Sequence, residues 1–337
     1  EVIKDVKKKL IKELSLEILF EKLDEIEDLI AEGNTIDEIS QSNILKENVV
    51  VKNIKNISNK FDINNLLQTV SSNVDYVLLG ECTHGTEEFY KVRSDITKNL
   101  IKNNNFKIVL VEGNWPSLYR VNQYVTCKDS KDKSSEESLE SINTYPLWMW
   151  KNDVISELIE WIRNYNLDNK NDIPVRFLGI DCYQLLEARK IILNFLKKVD
   201  IEFYNELKDA YSFLDNFKNE QEYGFSVIHG SLKPYSDKIQ NIFQKYQSFF
   251  QWEKFDKYLK ICKEKNINLF DLISVDQCFE LIVNADEYYR KLFSEPKGSQ
   301  ASWNIRDQHM TMTVLKLKET LNKVYNDNSK MIIWAHN

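Results

Sequence analysis

From about residue 61 the chain alternates between short apolar runs and longer stretches of helical periodicity. Four runs read as buried strands: Val74–Leu79, Phe106–Val111, Val175–Ile180 and Met331–Ala335. Helices are predicted over roughly 86–102, 116–126, 151–166 and 184–197. This alternation predicts an α/β fold, a mainly parallel central sheet flanked by helices on both faces. Residues 200–297 differ. They carry amphipathic patterns such as Phe243, Tyr246, Phe249 and Phe250, then Leu281, Ala285, Tyr288 and Tyr289, with no strand-like run between. They read as a helical insertion, about 200–300, that covers the carboxyl edge of the sheet. A last helix starts near Ser302. Residues 129–141 are polar and read as a mobile surface loop. Before the alternation, residues 1–45 are helical in pattern, with a stop and restart at Gly33-Asn34-Thr35, and residues 46–60 read as a connection. The expected organisation is therefore an N-terminal helical extension and connection, 1–60, followed by an α/β domain, 61–337.

Composition narrows the picture. A length of 337 residues can bury a substantial core, and a formal charge of −7 gives no attraction to nucleic acid or to an anionic membrane surface. No apolar run approaches the ~20 residues needed to span a bilayer. Five cysteines stand singly with no CxxC pair, which speaks against a zinc ribbon and for reduced thiols in a cytoplasmic setting. Cys82 reads as a small residue at a tight turn.

Each predicted strand ends in an ionisable residue: Glu81, Glu112, Asp181 and His336. In open α/β sheets ligands bind beyond the carboxyl ends of the strands, so these four either converge on one polar site or simply begin their loops. The first strand runs into Gly80-Glu81-Cys82-Thr83-His84-Gly85 and then a helix, with Thr86 as the expected cap. Arg93 shares the apolar stripe of that helix with Ile96 and Leu100. A buried arginine needs a carboxylate partner, and Glu81 and Glu112 are the candidates. His84 and His336 with flanking carboxylates suit acid–base work near neutral pH. The same set could hold a divalent metal, although no HxH or HxxxH spacing occurs. His229 reads as structural, and His309, one turn after Arg306, as ligand contact or plain helix surface.

These residues resemble the erythromycin esterase-like hydrolases. Gly80-Glu81-Cys82-Thr83-His84-Gly85 is similar to that family's GE-x-THG turn, and Glu88-Phe89 with Arg93 to its E-F-x-x-x-R helix. Val111-Glu112-Gly113-Asn114-Trp115-Pro116 resembles VEGDWP, with Asn114 in place of the usual aspartate. Trp148-Met149-Trp150-Lys151-Asn152 resembles WMWRN, and Gly179-Ile180-Asp181 with Tyr183 resembles GxDxY. Ser302-Trp303-Asn304-Ile305-Arg306-Asp307-Gln308-His309-Met310 resembles SWNxRDxHM, and Ala335-His336-Asn337 begins AHNxH. The family's later segment is not present, so a C-terminally trimmed chain is expected.

The resemblance implies hydrolysis of an ester, a macrolide lactone in the resistance enzymes of the family, with the residue at His84 acting as base on water. Glu81, Arg93, Glu112 and His336 are the further catalytic residues expected. Trp115, Trp150, Arg306, His309 and Asp181 are expected to bind substrate, with Trp148 shaping the same pocket. The expected ligand is a small molecule, with no cofactor and neither nucleic acid nor membrane as partner. The rival readings are a metal-dependent hydrolase built on His84 and His336, and a non-catalytic or metal- or haem-binding member of the wider superfamily.

Overall fold

Among the described residues, four parallel strands form a sheet in the order β1-β4-β2-β3: β1 (Tyr76–Glu81), β2 (Phe106–Asn114), β3 (Arg176–Asp181) and β4 (Lys330–His336). The computed structural model describes residues 74–128, 130–144, 147–169, 173–228, 237–243, 252–294, 300–326 and 328–336. Two compact units divide the chain, one of Glu1–Thr69 with Asn337 and one of Val70–His336. The expected extension at 1–60, His229 and Asn337 lie outside the described residues.

β3 is buried along its whole length and β2 nearly so, which is why both read as almost continuous apolar runs. Among the described residues β1 is an edge strand, and its Leu78 is 60% exposed. Side chains alternate between the faces. Ile108, Leu110, Leu178, Ile180, Met331 and Ile333 all join one large core cluster. Their neighbours Val109, Phe177, Ile332 and Trp334 are fully buried on the opposite face.

Helix α1 (Glu87–Asn104) follows β1 and ends at Asn105, whose φ of 58° is the left-handed helix stop. Thr86 holds the N-cap position, but its side chain makes no cap bond; its hydroxyl pairs instead with Thr83 at 2.7 Å. α2 (Trp115–Val125) follows β2, with Pro116 in its first turn. The segment expected as a mobile loop contains a packed helix, α3 (Ser135–Leu139). Ser134 caps it, Ser138 and Leu139 are buried, and Arg120 holds Asp132 at 2.5 Å. Its polar composition hid it, because serines that bond backbone and one another bury as readily as apolar residues.

α4 (Asp153–Asp168) packs against α1 and α2. After β3 come α5 (Leu185–Val199), α6 (Ile201–Ala210), α7 (Glu220–Ile228), α8 (Trp252–Glu264), α9 (Leu269–Ser294) and α10 (Gln300–Tyr325). α9 packs chiefly on α5 and α10, in the cluster that also takes in one face of the sheet. The described part of the expected insertion therefore builds that face more than it caps the carboxyl edge. α9 reaches the end of β3 through Tyr288, whose hydroxyl lies 3.0 Å from that of Tyr183.

Candidate active site

All four strands end at one edge, and register sets their polar ends side by side. Glu81 is level with His336, and Asn114 with Asp181. Between Val111 and Asn114 the register of β2 against β3 shifts. Gly179 accommodates the shift, since a Cβ there would sit 2.2 Å from the Gly113 carbonyl oxygen.

Glu81 is 3% exposed and uses both oxygens. Oε1 lies 2.7 Å from His84 Nδ1, and Oε2 accepts from Arg93 Nη2 at 2.5 Å. Arg93 points inward, as its place on the apolar stripe predicts. Its guanidinium lies 4.9 Å from the Tyr90 ring and 4.7 Å from the Trp334 ring. Those π faces stand where Nε and Nη1 have no hydrogen-bond partner. Burial lowers the Arg93 pKa, and the Glu81 carboxylate opposes that. Gly85, at φ 80°, turns the chain after His84, and Trp148 packs over it so closely that a Cβ would meet the ring at 2.8 Å.

A second ion cluster lies beside the first. Arg306 of α10 forks onto Asp181, with Nε at 2.9 Å and Nη2 at 2.6 Å, and Nη2 also reaches Glu112 at 2.7 Å. Burial works against its charge, but Asp181 and then Glu112 outweigh it and push the Arg306 pKa up. The other Glu112 oxygen accepts the His336 backbone N–H at 2.9 Å. The rings of His336 and His84 meet edge to face, with centroids 4.9 Å apart.

The structure thus brings Glu81, His84, Arg93, Glu112 and His336 together, with Asp181 and Arg306 next to them. Three expected substrate contacts lie elsewhere or act otherwise. Trp115 is fully buried, bonds Ser274 at 3.0 Å and stacks on Phe270, so it is core. Trp150 is 5% exposed and donates to the Glu112 carbonyl at 2.8 Å, which fixes the end of β2. His309 is sealed between α9 and α10, where Nδ1 meets Asn284 at 2.9 Å and Nε2 meets Thr313 at 3.4 Å. Burial pushes its pKa down to about 4. Trp148 stays 46% exposed beside the His84 turn.

Sequence reasoning passed over Trp303 and Asp307. They share a helix face with Arg306, and that spacing was the signal available. Among the described residues no three His, Cys, Asp or Glu side chains meet closely enough to hold a metal ion. A cleft of about 540 Å³ between α2 and α5, lined by Tyr119, Arg120, Lys190 and Asn194 among others, contains none of the strand-end residues. Its Arg120 and Lys190 are already paired, with Asp132 and Glu187, and its lining holds no histidine, so the strand ends are the better candidate site.

The fold has solved counterparts. A Bacillus cereus protein matches with a TM-score of 0.60 at 19% identity, over 82% of this chain and 60% of its own. A succinoglycan biosynthesis protein matches at 0.57 and 20% identity, over 83% of this chain and 61% of its own. A mutant of the erythromycin esterase EreC in its open conformation matches at 0.59 and 16% identity, over 82% and 64%. This chain therefore spans less than two thirds of the length of each of these structures. The family model for erythromycin esterase matches residues 101–337, more than half of the sequence, and the chain belongs to the erythromycin esterase family.

Proposed function

We propose that this chain carries the catalytic core of a hydrolase that cleaves an ester or lactone with water activated by His84. The observation that carries the reading is the 2.7 Å contact between Glu81 Oε1 and His84 Nδ1, with Arg93 on the other oxygen. Arg93 is a donor only, so Glu81 accepts from it. A carboxylate that also accepts from Nδ1 fixes the tautomer and leaves the Nε2 lone pair as the base. The His84 side chain is 33% exposed, so water can reach it.

In this scheme Nε2 takes a proton as the water oxygen bonds to the carbonyl carbon. Glu81 stabilises the imidazolium that forms. His336, edge to face with His84, faces the developing oxyanion. The carbon–oxygen bond to the alcohol then breaks, and the leaving oxygen receives the proton held by His84. The products are an acid and an alcohol, or one hydroxy acid from a lactone. Arg306, Glu112 and Asp181 hold the adjoining strand ends in register. The scheme draws on no cofactor or metal, and its substrate is a small molecule.

Family membership supports hydrolase chemistry, and the name of EreC puts a macrolide lactone first among substrates to test. The test is a panel of esters and lactones, erythromycin included, incubated with the full-length protein. Mass spectrometry follows both the products and the quenched protein. The expected result is a product heavier by one water and a protein without an acyl adduct. No turnover across the panel, or an acylated protein, contradicts the reading.

A further inference from the structure

The first turns of α10 carry Trp303, Arg306, Asp307 and Met310 at i, i+3, i+4 and i+7, one face of a helix. Arg306 ties that face to the strand ends through Glu112 and Asp181. The face is nevertheless open beside them: Trp303 is 59% exposed, and Asp307 is exposed. Asp307 makes no hydrogen bond or ion pair with a described residue.

Among the described residues the strand-end site is also short of positive charge. Among them, Glu81, Glu112, Asp181 and Asp307 stand against the cations Arg93 and Arg306. Arg93 is taken up by Glu81, and Arg306 bridges Glu112 and Asp181. Asp307 is the carboxylate left without a cation among the described residues. It belongs to the same field: burial raises its pKa, Arg306 opposes, and Glu112 and Asp181 add to the rise. Trp303 lies one helical turn away. An exposed indole face attracts a cation through its quadrupole, most strongly for ligand cations that give up little hydration. The Arg306 guanidinium carbon is 6.0 Å from the Trp303 ring, the outer limit of such a contact, so it leaves most of the indole open.

We propose that Trp303 and Asp307 form a recognition subsite for a cationic nitrogen, so that the site takes ligands bearing an ammonium group and discriminates against anionic ones. The indole supplies the wall and the carboxylate the counter-charge. Calling that ligand a substrate rests on the hydrolase reading above; the binding itself does not.

The test is therefore a binding titration that needs no turnover. Choline, its neutral isostere 3,3-dimethylbutan-1-ol and the anionic 3,3-dimethylbutanoate are titrated into the full-length protein by ligand-observed NMR at neutral pH. Choline should bind about tenfold more tightly than the alcohol, the sum of an exposed ion pair and a cation–π contact, and the anion should bind most weakly. Asp307→Asn should cut the preference for choline about twofold, removing the ion-pair share, while leaving the alcohol unchanged. Trp303→Ala should weaken choline about fivefold. Both residues are exposed, so neither change threatens the fold. Equal binding of choline and the alcohol overturns the proposal, as does a preference that neither Asp307→Asn nor Trp303→Ala reduces. Such a result leaves the hydrolase reading intact, and an inactive protein that still selects choline leaves the subsite intact.

Discussion

Glu81 has one oxygen for His84 and one for Arg93, so under the proposed mechanism a change there acts on both chemistry and stability. Glu81→Gln keeps the shape but replaces one acceptor with an NH2 donor. Either His84 Nδ1 or Arg93 Nη2 then faces a donor. We expect kcat to fall far more than KM changes, and stability to drop by about 3–5 kcal/mol because Arg93 is left charged and buried without its counter-charge. Steady-state kinetics and denaturant unfolding read the two effects separately. His309 makes a different prediction. Its folded pKa of about 4 lies below its ordinary 6.5, so between those values the unfolded chain binds the extra proton. The contribution of His309 is thus complete above pH 6.5 and lost as pH falls toward 4, an effect of about 3 kcal/mol. Unfolding measured across that window should show a shallower slope for His309→Gln than for the unaltered chain. At this scale the sequence reveals unevenly. Arg93 was legible because a charge on an apolar stripe demands a partner. His309 was not, because helical spacing does not say which neighbour will cover a position. The fork of Arg306 onto Asp181 joins residues 125 positions apart, which no local pattern encodes.

Strands and helices were more legible than their arrangement. Each apolar run became a parallel strand, since a short run of β-branched and aliphatic residues bounded by polar ones has few other ways to bury itself. Their order was not legible. β4, last in sequence, inserts between β1 and β2, and this places His336 level with Glu81. The close approach of β2 and β3 carries the element-scale prediction. In Gly179→Ala the new methyl would stand 2.2 Å from the Gly113 carbonyl oxygen, a backbone atom that cannot swing aside. The strands must part, and Glu112 and Asp181 move with them. We expect a loss of about 1–3 kcal/mol in stability, read by thermal unfolding, together with reduced activity from the loosened Arg306 fork.

For the whole molecule, the separate motifs of the sequence make sense only when the sheet closes. Residues from three stretches of chain, around 81–93, at 112 and at 336, meet at one edge because parallel strands all point the same way. The remaining chemistry comes from α10, which is far along the chain yet delivers Arg306 to β2 and β3. Among the described residues no helix is long and apolar enough to cross a membrane. The edge so assembled offers two candidate groups for bond cleavage, the exposed thiol of Cys82 and the imidazole of His84. A thiol would attack the carbonyl itself, whereas the imidazole, held by Glu81, would act on water. The direct measurement is kcat on one ester for Cys82→Ala and His84→Ala, side by side in the full-length protein. The account predicts that Cys82→Ala stays within about threefold of the unaltered enzyme, while His84→Ala loses about a hundredfold or more. Activity that disappears with Cys82 and survives the loss of His84 would contradict it.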